Sequence, residues 1–95
     1  MGNLASYLGF AVRSAKIIYG IDNVTARKKR VYVLVICPTA SANLRESAQR
    51  YAERNGVPLI TSPQPLEDLI FKSNCKLVAL LDANMAKAVI ETAGR

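Results

Sequence analysis

The chain has no histidine, only two cysteines and no closely spaced glycines. Without an imidazole, the commonest general acid and base in enzymes is missing. Cys37 and Cys75 form no CxxC pair, so zinc would have to be held by carboxylates or a mixed set unlike the usual ligand clusters. The glycines Gly9, Gly20, Gly56 and Gly94 stand apart, which excludes a phosphate-cradling loop of the GxGxxG or P-loop kind. No apolar run approaches the roughly 18 to 20 residues that span a bilayer. The opening "MGNLASYLGF" lacks a basic leader, so secretion and membrane insertion are not expected and a cytoplasmic location is. "MGNLAS" matches the bare myristoylation pattern at Gly2, but Leu4, Leu8 and Val12 already have a helical use. No cofactor and no metal are expected.

Ninety-five residues, 51% of them hydrophobic, suffice for one small core and make a single domain the expectation. Thirteen Lys and Arg against seven Asp and Glu give a net charge of +6. A surplus of that size suggests a polyanionic partner and says nothing about chemistry. The enzymatic reading is weak. Glu46, Glu53, Glu67, Asp68 and Glu91 fall on the polar faces of expected helices, and Cys37, at the end of an expected strand, has no nameable base partner. Both cysteines are read as reduced, packed thiols.

Periodicity sets the element order. Leu4, Tyr7, Leu8, Ala11, Val12 and Ala15 recur at helical spacing, with Ser6, Arg13 and Lys16 on the polar side. "IIYG" reads as a short strand stopped by Gly20, after which Asp22 or Asn23 caps a second helix carrying Val24, Thr25 and the cations 27 to 30. "VYVLVIC", from Val31 to Cys37, is a β-branched run that predicts a central strand buried on both faces. "SANLRESAQRYAERNG" predicts a third helix, capped by Ser41 or Asn43, with Leu44, Ala48, Tyr51 and Ala52 inward and a stop at Asn55 and Gly56. "VPLIT" predicts a strand, and Pro65 to Phe71 a brief helix ending by Ser73 and Asn74. "KLVALLD" predicts a buried strand, and Asp82 or Asn84 caps a last helix with Met85, Ala88, Val89 and Thr92 inward and Gly94 near its end. Alternating elements of this kind predict a three-layer α/β/α sandwich around a small mixed sheet.

The stretch "YGIDNVTARKKR", positions 19 to 30, carries the functional signal. On a helix starting near Asp22, residues Asn23, Ala26, Arg27 and Arg30 share a face, while Val24 and Lys28 point elsewhere. The backbone N–H groups at its start favour a phosphate or base acceptor near Gly20 and Ile21. An ordinary capped, solvated helix accounts for the same residues, and composition alone does not choose between the two.

Four segments then resemble the ribosomal protein L-seven-Ae family of kink-turn RNA binders, in its short bacterial YlxQ-like branch. They are "LGFAVRSAKIIYG" at 8 to 20, "VYVLVICPTASANL" at 31 to 44, "YAERNGVPLI" at 51 to 60 and "LLDANMAKAVIE" at 80 to 91. The resemblance runs over nearly the whole chain and rests on order and spacing rather than on one motif. It implies an α/β/α sandwich, a four-stranded sheet, a monomer, and recognition of a sharply bent RNA element with sheared G·A pairs, in ribosomal or regulatory RNA. Regular A-form RNA hides its base edges in a narrow groove, so reading them requires such a distortion.

The family's Gly-x-Asn-Glu stretch with a following Lys maps onto Gly20, Asp22, Asn23 and Ala26, so only the glycine and the general polarity persist. The missing lysine removes a charged donor to guanine, a contact that contributes about 1 to 3 kcal/mol of discrimination; Arg27 or Arg30, one helical step away, is the expected replacement. The resemblance also implies a second contact in the loop before the last helix, at Leu81, Asp82, Ala83, Asn84, Met85 and Ala86. There Met85 would stack on a nucleotide and Lys87 touch a phosphate, with Lys16 part of the same surface. A plain helix cap with Met85 in the core is the competing reading. The alternative function is a ribosome-associated adaptor that keeps the fold and has lost base reading.

Overall fold

A computed structural model describes residues 4–26, 30–70 and 75–93. Gly2, Arg27, Lys28, Lys29, Phe71, Ser73, Asn74 and Gly94, all named in the sequence expectations, lie outside the described residues. The element order is α1 (Leu4–Arg13), β1 (Ile17–Tyr19), α2 (Ile21–Ala26), β2 (Val33–Ile36), α3 (Ala42–Asn55), β3 (Leu59–Thr61), α4 (Leu66–Ile70), β4 (Leu77–Leu80) and α5 (Ala83–Ala93). This is the α/β arrangement expected, a four-stranded mixed sheet between two helical layers.

The sheet runs β1-β4-β2-β3, with β4 antiparallel to both neighbours and β2 parallel to β3. All four residues of β2 are buried, because each face of the strand is covered. Val33 and Val35 join Leu4, Leu8 and Ala11 of α1, Leu66 and Leu69 of α4, and Ala86 and Val89 of α5. Leu34 and Ile36 face the other way, onto Val24 of α2 and Ala48 and Ala52 of α3. The period of two in a continuous apolar run thus supplies two cores at once, as expected of a central strand.

One apolar position departs from the helical reading. Ala15 lies beyond the end of α1, exposed and at φ 58, in the left-handed region. Its N–H donates to Val12 O (3.2 Å) and the Lys16 N–H to Ala11 O (2.9 Å), so an alanine occupies the place that glycine usually takes in a Schellman ending. The chain reverses at this point into β1, and Ala15 turns outward. Val12 is exposed as well, leaving Leu4, Leu8 and Ala11 as the buried stripe.

Since β1, β2 and β3 run in one direction and β4 in the other, α2, α3 and α4 all begin at the same rim of the sheet. The start of β4 lies at that rim too: Gly20 N–H donates to Leu77 O (2.9 Å), Cys37 N–H to Lys76 O (2.8 Å) and Ser62 N–H to Ile36 O (2.9 Å). The opposite rim carries the entry to β1, the end of β4 and the start of α5.

Candidate nucleic-acid interface

The amino end of α2 is built by Gly20. Its φ of +83° is a conformation that L side chains rarely adopt, and it turns the chain from β1 straight into the helix. The Gly20 carbonyl accepts from Val24 N–H (3.1 Å), so Gly20 itself takes the cap position. This corrects the expectation that Asp22 or Asn23 caps the helix. Both lie inside the first turn, where the Asp22 charge suits the helix dipole. The Asn23 side-chain amide instead donates back to Tyr19 O (2.7 Å), and the Thr25 hydroxyl to Asp22 O (3.0 Å).

Val24 is buried, while Asp22, Asn23, Thr25 and Ala26 are exposed and Ile21 is half-buried. Apart from its chain neighbours, no heavy atom of the described residues lies within 4 Å of the point where a side chain at Gly20 would begin. This end of the helix is therefore open.

The cations expected beside it are described only in part. Arg27 lies outside the described residues, and Arg30 sits in the non-helical approach to β2 rather than on a helical face with Asn23. Its guanidinium lies over the Tyr32 ring, 5.2 Å from the centroid, a cation–π contact. Among the described residues, the cationic wall is α3. Ser47, Arg50, Tyr51, Arg54 and Asn55 face Ile21, Asp22 and Thr25 across a groove of about 490 Å³. At Tyr51 and Asn55 this groove meets a second hollow, of about 250 Å³, lined by Arg30, Tyr32 and Gly56.

Arg50 pairs with Glu46 one turn earlier, and both are well exposed, so solvent screening makes the pair weak and easily exchanged. The sequence signal for this wall was the 47, 50, 51, 54 spacing beside the apolar stripe, a helical face of its own.

The second expected contact region lies elsewhere. Asp82 caps α5, its Oδ1 accepting from Met85 N–H (3.0 Å) and its carbonyl from Ala86 N–H (2.9 Å). Met85 is half-buried against the core, Ala86 is buried and Leu81 half-buried, while Ala83, Asn84 and Lys87 are exposed. Leu81 N–H donates to Lys16 O (2.9 Å), which places exposed Lys16 with this group. Ile17 pairs with Leu80 and Tyr19 with Val78, so Lys16 and residues 81 to 87 sit at one rim and Gly20 to Ala26 at the other. The four residue steps between Lys16 and Gly20 span roughly 13 Å along the strand. The structure brings together Gly20, Ile21, Asp22, Asn23 and Ala26, and separately Lys16 with Leu81 to Lys87, but not the two groups.

Met85 and Asn84 also line an apolar groove of about 410 Å³ between α1 and α5, with Tyr7, Phe10 and Arg13. Phe10 is 56% exposed there.

Little of the remaining surface offers chemistry. Cys37 is fully buried, with its sulfur 3.0 Å from Thr39 Oγ1. Burial pushes the thiol pKa up. Hydrogen bonds from the Thr39 side chain and backbone and from the Leu66 backbone, with the Lys76 charge, outweigh it and hold the pKa below its usual range. Lys76 is itself bonded to Glu67 (2.9 Å) and Thr39 (3.0 Å). Among the described residues there is no group of three His, Cys, Asp or Glu able to hold a metal, and no helix long and apolar enough to cross a membrane.

No family model and no curated protein matches the chain. A solved structure described as a protein with unknown function from Bacillus halodurans is similar to it over 100% of both chains, with a TM-score of 0.88 at 15% sequence identity. At that identity the likeness bears on the fold alone.

Proposed function

We propose that this chain is an RNA-binding domain of the L-seven-Ae kind, recognising a bent, G·A-rich element in ribosomal or regulatory RNA as a monomer. The observation that carries the reading is the open amino end of α2 beside the arginines of α3. Gly20 lets a backbone or a base edge come close, because no side chain projects there. Exposed Asp22 and Asn23 then offer acceptor and amide groups to the edges of guanine or adenine that a kink lays open. Arg50 and Arg54 supply the positive field that draws RNA to this side.

A second reading, a protein adaptor on the same fold, is favoured by two observations. The Asn23 amide is already engaged by Tyr19 O, and the α1/α5 groove exposes Phe10.

Affinities for a kink-turn RNA and a straight duplex of equal length, measured by fluorescence anisotropy, separate the two. Tighter binding to the kinked RNA is expected, with Asn23→Ala and Arg27→Ala each weakening the kinked target more than the straight one. Equal affinities with equal losses would reject base and shape reading and leave the adaptor. Salt dependence alone does not decide, since phosphate contacts steepen it for either RNA.

A further inference from the structure

We propose that the groove between α2 and α3 is a second RNA contact, a track for the ribose-phosphate strand that flanks the bent element, with phosphates on the α3 wall and ribose 2′-hydroxyls on the α2 wall. This rests on the RNA-binding reading above.

The two walls differ in chemistry. The α3 wall presents Arg50 and Arg54, one helical turn apart and therefore about 5 to 6 Å between their Cβ atoms. That spacing suits successive phosphates of one strand, and guanidinium is the side chain best matched to phosphate oxygens. The α2 wall presents the Asp22 carboxylate and the Thr25 hydroxyl. A carboxylate repels phosphate, so the strand has only one way to lie across the groove. Its sugar edge, where the 2′-hydroxyl can donate, meets Asp22. This hydroxyl is the group by which a protein tells RNA from DNA. Tyr51, half-buried on α3, also faces the groove.

Charge placement agrees. Among the described residues, Arg30, Arg50 and Arg54 line this groove and the hollow it meets, with Asp22 the one acid beside them. The groove also continues from the open Gly20 turn, sharing Ile21 and Asp22 with it, so a strand leaving a bend seated there runs directly into it. The lining residues Arg50, Arg54, Asp22 and Thr25 are exposed, which fits an extended strand lying in an open channel rather than an enclosed small molecule. The Arg50 and Glu46 pair is solvent-screened, so a phosphate can displace Glu46.

The test uses the full chain and three RNAs: a kink-turn with a long flanking stem, the same kink-turn with that stem cut back to the bend, and a straight duplex. Wild type is expected to bind the long-stem form most tightly. Arg50→Ala/Arg54→Ala should weaken that form at least tenfold and reduce its log K against log salt slope by about 1.4 to 1.8, from two lost phosphate contacts. It should leave the cut-back form within about threefold. Arg50→Gln/Arg54→Gln, which keeps the helical stems, should behave the same. Arg13→Ala on the other helical layer controls for loss of one charge, and Arg54→Ala alone should cost more. Deoxyribose in the flanking strand should weaken wild type and have no further effect on Asp22→Ala.

A wild type that prefers kinked RNA, with arginine variants unchanged in affinity and slope, would overturn the groove and leave the RNA-binding reading standing. So would equal losses for Arg13→Ala and Arg54→Ala. A wild type with no preference for kinked RNA overturns the reading itself. Deoxy substitution without effect overturns the 2′-hydroxyl assignment.

Discussion

Gly20 and Gly56 make a matched pair for testing the interface. Both adopt positive φ, +83° and +62°, and both face open space where a Cβ would be added. A methyl group at either position meets no steric clash, so its cost is the strain of the backbone conformation, about 1 to 2 kcal/mol. Restricting the unfolded chain returns about 0.4 to 1 kcal/mol of that. Each Gly→Ala variant should therefore lose about 0.5 to 1.5 kcal/mol of stability, with the slightly larger loss at Gly20, whose φ is further from the left-handed helical minimum. In a domain of this size that corresponds to a fall in melting temperature of roughly 3 to 10 °C. The assay is thermal unfolding by circular dichroism, paired with anisotropy titration of the kink-turn RNA at a temperature where both variants stay folded. The stability losses should be alike, and the binding losses should not. Gly20→Ala places a methyl group where the strand approaches and should weaken the kinked target more than tenfold, whereas Gly56→Ala should stay within about threefold. A Gly20→Ala protein with wild-type affinity, or equal weakening in both variants, refutes an approach of RNA to the α2 turn.

Ala15→Gly removes left-handed strain at the end of α1 and should raise the urea midpoint, by about 0.5 kcal/mol in stability after the extra unfolded-state freedom is counted; an unchanged or lower midpoint contradicts the Schellman reading. Asp82→Ala deletes the cap of α5 and should destabilise by about 1 kcal/mol in urea unfolding, without changing affinity for RNA docked at the opposite rim. Alkaline pH should weaken the fold. Burial, and then the charge of Cys75, pushes the Tyr19 hydroxyl above its ordinary 10.0; the hydrogen bond to Glu67 lifts Lys76 above its ordinary 10.5. Both groups hold their protons more tightly when folded, so their contributions are intact below those values and are lost as pH rises past them. Urea midpoints at pH 9 and pH 11 should show the drop, smaller in Tyr19→Phe; a flat profile contradicts it.

The fold was legible because the strongest sequence signal, the β-branched run ending at Cys37, sits where the sheet is covered on both faces. Periodicity placed α1, α3 and α5 for a similar reason, since each buries one stripe of small or branched apolar side chains. Ala15 escaped because its spacing continued the helix while its backbone did not, and chain reversal into β1 prevailed over propensity. The cap of α2 is not legible because Asp22 and Asn23 have the chemistry of capping residues, yet the positive φ at Gly20 starts the helix two or three residues sooner. That the expected contact residues fall into two groups at opposite rims is not legible in one-dimensional spacing, because it depends on which end of β4 lies beside which end of β1. The arginines of α3 are visible in the sequence but carry no signal of a site there, and only the position of α2 across from them gives them a shared groove.

The helical layers are unequal. Three helices cover one face of the sheet, while the other carries α2 and α3. Two helices roof four strands less fully than three, and the trench with its arginine bank is the space between them. On the RNA-binding reading the opening trades packing for access: a helix that filled the trench would yield a sturdier domain with nowhere to lay a strand.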